Sequence, residues 1–426
     1  MAAPEYPPQA HTEPATQFHD PWLISRGPRL SGLSGAIADA IERSISGRKR
    51  QDATQRRRQL VSNVMANLAG LVLAPGSAPN AVLAVATEKK KPSRYGREDF
   101  PQRLLSDALS AMEDVGAIHR HPYVFKQRLT TIEPTAEFCA KLTTDGVQLS
   151  DIGRDAGAET IWLTARSGFR PRHGLPMPKL LMPYQDTDES RRYRAQVESI
   201  NAHLNRAAIT FDGERHAPIA LRRVFTLRSP QDPVSFDLGG RLFGGFWMNL
   251  PSRERHKLAI GGEPVADLDY AAMFARLAYL KAGQVPPNID PYAIPGLEEH
   301  RDGAKMALLS LLSRSTDLKQ LAPELRAALP EGWNAKRLRE AAAVYHPRIA
   351  HLFGTDVGIE LMFAESQLLV RVMLELAAED IAGLPMHDGV MVPNSQAGRV
   401  AHVMEQAAVR TFGVTIPVKE KAIWRL

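Results

Sequence analysis

The chain has 426 residues, with 53 Lys+Arg against 47 Asp+Glu for a formal charge of +6, and 44% of its residues are hydrophobic. That length allows two or three domains with proper cores, which excludes a mini-protein, and the composition excludes a wholly disordered chain. The single cysteine, Cys139, excludes an intrachain disulfide framework and a multi-cysteine zinc site, so oxygen or imidazole must hold any metal and a cytoplasmic location is expected.

No apolar run is long enough to span a membrane, and the N-terminus lacks a basic start followed by an apolar stretch, so no membrane partner is expected. Residues 1–30 are rich in Pro, Ala, Gly and polar groups without periodicity and read as a disordered tail. Residues 31–95 read as a basic helical region and linker. Leu33, Ile37, Ala40, Ile41 and Ile45 recur at helical spacing, followed by Arg48-Lys49-Arg50, Arg56-Arg57-Arg58, a second apolar helix over Leu60–Leu73 and the run Lys89-Lys90-Lys91. The basic clusters suit phosphate contact or a solvated face, and the pattern leaves both open.

Residues 96–235 read as a winged-helix-like accessory region. Leu104, Leu105, Ala108, Leu109, Met112 and Val115 mark a helix that Gly116 stops, before a basic, aromatic hairpin candidate with His119, Arg120, Tyr123, Phe125, Lys126 and Arg128. Such a unit can grip a duplex or dock a protein. A helix is predicted from Ser190 to Arg206 and strands between Ile209 and Phe236. No repeat of fixed period occurs.

Three clusters in the C-terminal half carry chemistry. The first is the strand Val265–Tyr270 with Asp267 and Asp269, followed by a helical run containing Phe274 and Arg276. A carboxylate at a strand end can hold a divalent cation or simply form a turn, and Arg276, seven residues on, is placed to support the same side. The second is Arg301-Asp302-Gly303-Ala304-Lys305, whose stripe through 301, 305, 309 and 313 brings Arg301, Lys305, Leu309 and Ser313 onto one helix face. Such cations suit a triphosphate or a solvated face. Gly303 inside that helix suggests a close approach or a bend. The third, Met386-His387-Asp388-Gly389-Val390, reads as a hairpin turned by Asp-Gly, with His387 and Asp388 at its tip.

In this order the clusters resemble the palm and fingers of the A-family DNA polymerases and the related single-subunit phage RNA polymerases. Asp269 with Tyr270 and Arg276 matches motif A, Arg301 and Lys305 match motif B, and His387-Asp388 matches motif C. Gly240-Arg241-Leu242 and Asn249-Leu250-Pro251 resemble segments upstream of motif A, where the arginine meets the primer terminus, and Thr415-Ile416-Pro417-Val418 with Trp424 resembles the family's C-terminus. The resemblance implies an α+β fold over residues 236–426, a right-hand palm with small helical fingers. It also implies an enzyme of DNA replication, a template-directed nucleotidyltransferase. Asp269 and Asp388 would hold two Mg²⁺ ions, with Mn²⁺ as a substitute, and Lys305 and Arg301 would hold the nucleoside triphosphate. Template and primer DNA are the implied partners, with a helicase or a single-strand-binding protein as further candidates.

The departures concern the sugar pocket. The family's motif A glutamate falls at Phe274, and the aromatic positions of motif B fall at Leu309 and Ser313, so the usual Tyr-Glu gate is missing and relaxed sugar discrimination is expected. In size and motif spacing the chain is similar to compact primase-polymerases of mobile genetic elements. Glu365, on a helix before the hairpin, is expected to face the palm paired with Arg301 or Arg276. The rival readings are a primase or RNA polymerase using ribonucleotides, and a catalytically inactive DNA-binding adaptor.

Overall fold

The computed structural model describes residues 16–45, 51–74, 80–86, 93–97, 99–100, 102–123, 130–167 and 179–423. The fold is α+β and parts into two units, 1–158 with 213–218, and 159–212 with 219–426. The basic clusters Arg48–Arg50 and Lys89–Lys91, the hairpin residues Phe125, Lys126 and Arg128, and Trp424 lie outside the described residues.

The first unit opens with β1 (Thr16–Phe18), β2 (Leu23–Ser25) and α1 (Pro28–Ser44), so residues 16–30 are part of the fold and not of a tail. Polar groups hold them: Asn63 donates to the carbonyls of Asp20 and Leu23 at 3.0 and 2.7 Å, and the Asp20 amide donates to Asn67 at 2.8 Å. Composition misses this because the partners come from a helix some forty residues on. That helix, α2 (Gln51–Leu73), buries Leu60, Val64, Met65 and Leu68 in the core of this unit and packs on α1 and β2. Of its three clustered arginines, Arg57 reaches Glu42 at 2.7 Å and Arg58 pairs with Asp39, so two of the cations read as suiting either phosphates or a solvated face join neighbouring helices. After β3 (Val82–Ala84) come α3 (Gln102–Asp114), β4 (Ile118–His121), β5 (Thr131–Pro134), α4 (Ala136–Thr144) and β6 (Ile152–Arg154). Gly116, at φ 73°, ends the α3 segment as expected, and β4 pairs antiparallel with β5, in a sheet of order β1-β3-β5-β4.

The second unit begins at 159, well before the expected boundary at 236. β7 (Ile161–Arg166), α5 (Asp188–Arg206) and β9 (Ile209–Phe211) share its core, with β8 (Lys179–Leu181) exposed, and after β10 (Glu214–Arg215) in the return segment the chain resumes with β11 (Arg222–Leu227) and β12 (Gly239–Phe243). β11 runs parallel to β7 and antiparallel to β12, in the order β12-β11-β7-β8.

A second sheet follows from β13 (Leu258–Ile260), β14 (Glu263–Tyr270), β15 (Leu384–Met386), β16 (Gly389–Pro393) and β17 (Val418–Ile423). β14 is central: β16 pairs along one side, and β13 and then β17 along the other. Its alternation sends Ala266, Leu268 and Tyr270 to one face and Val265, Asp267 and Asp269 to the other. The helices are α6 (Met273–Lys281), α7 (Arg301–Ser313), α8 (Pro323–Ala327), α9 (Ala335–Tyr345), α10 (Gly358–Ala378) and α11 (Ala397–Phe412). Gly303 in α7 sits where an added Cβ would lie 2.2 Å from the Ala328 carbonyl oxygen, which accounts for a glycine inside a helix. No helix among the described residues is long and apolar enough to cross a membrane.

Candidate active site

The β14–β16 register sets Asp269 opposite Gly389, and the Tyr270 amide donates to the Asp388 carbonyl at 3.3 Å, which brings the two acidic residues to the same end of the sheet. The hairpin turns on His387 and Asp388, with His387 in the left-handed region at φ 55°. The expected Asp-Gly turn is therefore displaced by one residue, because Gly389 is already a strand residue. Its requirement is steric: a Cβ there would stand 2.5 Å from the Leu268 carbonyl oxygen and 3.1 Å from Asp269 Oδ1. Behind the hairpin the fully buried Trp247 donates through Nε1 to the Pro385 carbonyl at 2.9 Å.

The carboxylates crowd each other. Burial, reinforced by the negative charges of Asp269 and Glu365, holds the Asp388 carboxyl well above the usual carboxylate range. Burial raises Asp267 as well, against the pull of Lys421. Asp269 is 5% exposed, and its buried Oδ1 has no hydrogen-bond partner among the described residues, while Oδ2 lies 2.7 Å from Lys421 Nζ. Burial opposes the Lys421 charge, yet the contact with Asp269 and the fields of Asp388 and Asp267 win, so its pKa is raised. His387 is lowered by desolvation and by the cations Arg241, Lys421 and Arg255.

Glu365 lies on α10 facing this site, as expected, but its partner is Arg241, with Nε and Nη2 donating to the two carboxylate oxygens at 2.7 and 2.9 Å. The two expected partners are engaged elsewhere: Arg301 makes a fork to Asp290 at 2.6 and 3.1 Å, and Arg276 Nε donates to the Ala271 carbonyl at 3.0 Å, closing the turn between β14 and α6. Burial still lifts Glu365 above its ordinary value. The Arg241 guanidinium lies 5.6 Å from the centre of the Phe274 ring, so Phe274 floors the Arg241–Glu365 pair.

Tyr270, matched to motif A and expected to line the substrate pocket, faces away from Asp269. Its position on the opposite face of β14 buries the ring, and its hydroxyl donates to the Met404 carbonyl at 2.6 Å. On α7 the stripe falls as expected: Arg301, Lys305 and Ser313 are exposed and Leu309 is half-buried, while Ala304, Ala307, Leu308 and Leu311 face the core. Lys305 makes no ion pair among the described residues. Tyr292 links this helix to the carboxylates: burial first, and then the charge of Asp388, push its hydroxyl up to about 12, and the Arg301 guanidinium lies 5.0 Å from its ring centre.

Sequence reasoning missed Lys421, Arg255, Asp290 and Tyr292. The alternation Lys419-Glu420-Lys421 was a signal for a strand carrying cations. No signal showed which lysine meets Asp269, because a bulge decides it.

No family model matches the chain, and no curated protein does. Among solved structures, a similar chain is the POL domain of Pol1 from M. smegmatis, complexed with DNA primer-template and dNTP, at 11% identity and a TM-score of 0.27, covering 95% of this chain and 67% of that one. A score this low leaves the geometry of the site and the sequence pattern to carry the functional argument.

Proposed function

We propose that the second unit is a template-directed nucleotidyltransferase, a DNA polymerase or primase-polymerase with a palm-like sheet and α7 as its fingers helix. The observation that carries this reading is the pairing of Asp269 and Asp388 at one sheet end, with Asp269 Oδ1 buried and bonded to no N–H donor among the described residues. An all-oxygen set of this kind fits a hard divalent cation such as Mg²⁺, or Mn²⁺ in its place. Among the described residues no three His, Cys, Asp or Glu side chains form a metal cluster, so water and substrate phosphate would complete the shell around Asp269 and Asp388. When bound, such ions would activate a primer 3′-hydroxyl and neutralise the leaving pyrophosphate.

The protein's own residues supply position and charge. The 3′-oxygen, its proton passing to solvent water, forms a bond to the α-phosphorus, the bond from that phosphorus to the bridging oxygen of the β-phosphate breaks, and pyrophosphate departs toward Arg301 and Lys305 on the open stripe of α7. Lys421 and Arg255 add positive charge beside the carboxylates, and Arg241 is held next to them by Glu365. Template and primer DNA are the macromolecular substrates, and the first unit with its basic helices is the proposed gripping module. Phe274, Leu309 and Ser313 replace a sugar gate, so deoxy- and ribonucleotides are expected to be used within about tenfold of each other.

The test is extension of a labelled primer with Mg²⁺, run with deoxynucleotides, with ribonucleotides and without primer. Template-dependent products that Asp269→Ala and Asp388→Ala each reduce by roughly a hundredfold or more support the reading. One observation favours a second reading: Lys421 already neutralises Asp269 in the way a cation would. A protein that binds DNA but extends no primer in any lane would be the inactive adaptor, with Lys421 in permanent place of the metal.

A further inference from the structure

Arg223, on β11, is 0% exposed and makes no ion pair among the described residues, feeling the Glu189 carboxylate only through its field. Such a charge is expensive to bury and needs compensation. Burial pulls its pKa down to about 10. Its hydrogen bonds go instead to two segments that flank the candidate active site. Nε donates to the Gly240 carbonyl at 2.9 Å and Nη2 to Ser366 Oγ at 3.2 Å, while Ser366 Oγ in turn approaches the Gly239 carbonyl at 3.1 Å. The guanidinium lies 4.6 Å from the ring centre of Tyr193 and 4.8 Å from that of Phe225, so aromatic faces supply the remaining stabilisation.

The neighbours of these two anchors matter. Gly240 precedes Arg241, and Ser366 follows Glu365. One buried guanidinium thus ties the bulge of β12 that presents Arg241 to the helix that presents Glu365. The bulge is tight: Gly239 and Gly240 have φ of 73° and 78°, and a Cβ on Gly240 would lie 2.9 Å from Ser366 Oγ and 3.1 Å from Arg223 Nη2.

We propose that Arg223 is a positioning residue that acts through Gly240 and Ser366 to fix the Arg241–Glu365 pair beside Asp269 and Asp388. The inference deepens the nucleotidyltransferase reading and rests on it for its kinetic arm, while its structural arm stands apart. Lysine at this position would keep the charge but lose the fork that spans both anchors.

The experiment uses the full chain with Arg223→Met, an apolar replacement that a buried site tolerates. Amide hydrogen exchange is measured over 239–241 and 363–367, and primer extension is measured against nucleotide concentration. The expected result is a folded protein whose exchange over both segments rises about tenfold, whose kcat falls about 10- to 100-fold and whose nucleotide KM stays within about threefold, with Arg223→Lys intermediate. Should Arg223→Met not fold, Ser366→Ala, which removes the acceptor of one branch, is read in the same way. A folded variant with wild-type exchange in both segments overturns the proposal, as does a wild-type kcat. If the wild-type protein extends no primer, the catalytic reading fails by itself, and the exchange comparison alone decides the role of Arg223.

Discussion

Lys421 reaches Asp269 because of one extra residue in β17. Asp267 pairs with Ala422 and Leu268 with Glu420, so Lys421 is the bulged residue, and its ammonium is delivered 2.7 Å from Asp269 Oδ2. In an unbroken ladder strict alternation would set the faces of this strand, whereas a bulge re-aims a single side chain. The same charge neutralises Asp269 and would compete with a cation there.

Replacing Lys421 with Met separates these roles. Without divalent ions the variant leaves Asp269 beside Asp388 uncompensated and is expected to lose about 1–2 kcal/mol. Millimolar Mg²⁺ should restore more stability to it than to the wild type. Thermal melts of both proteins with and without Mg²⁺ measure this, and an equal Mg²⁺ response would show that Lys421 does not share the cation's place.

Asp388→Asn should abolish primer extension and yet stabilise the protein at alkaline pH. The folded state holds the Asp388 carboxyl above its ordinary value, so it binds more protons than the unfolded chain between the two pKa values. Stability of the wild type therefore falls as pH rises from the ordinary carboxylate range through the raised value, and the asparagine variant loses that slope. Denaturant melts between pH 4 and pH 9 give the comparison, and parallel curves for the two proteins would contradict the raised Asp388 carboxyl.

Gly389→Ala tests the close approach of the hairpin to β14. With a Cβ 2.5 Å from the Leu268 carbonyl oxygen, the strands must separate, at an expected cost of about 2–4 kcal/mol and with loss of the Asp269–Asp388 arrangement. Equilibrium unfolding and primer extension of the purified variant report the two effects. A change under about 0.5 kcal/mol would mean that the strand pair yields freely.

His346 gives the acid limb. Fully buried, it donates through Nε2 to the Pro291 carbonyl at 2.8 Å, and in the neutral ring Nδ1 accepts from the Tyr279 hydroxyl at 2.9 Å. Burial lowers its pKa, and its contribution is complete above the ordinary histidine value and is lost as pH falls from there through the lowered value. His346→Gln should flatten stability over that window and loosen the segment that carries Asp290 and Tyr292. A pH series of melts, with exchange measured over residues 290–292, decides it.

The sequence by itself determined the elements that local chemistry encodes. The acidic strand ending at Asp269, the α7 stripe with Arg301 and Lys305 outward, the glycine stop after α3 and the hairpin around Asp388 were all legible, because period-2 and period-3.6 patterns and turn residues act within a few positions. Long-range choices were not legible. The partner of Glu365 is Arg241, 124 residues away, and not the nearer arginines. The unit that holds the site begins at 159, because β7 and α5 fill its core. Residues 16–30 are ordered by asparagines of α2. Tyr270 is buried because the opposite face of β14 is covered, and Lys421 meets Asp269 through a bulge. Each of these outcomes was set by tertiary packing: a buried charge or polar group takes whichever partner the assembled sheets and helices bring within about 3 Å, and neither sequence separation nor local propensity carries that distance.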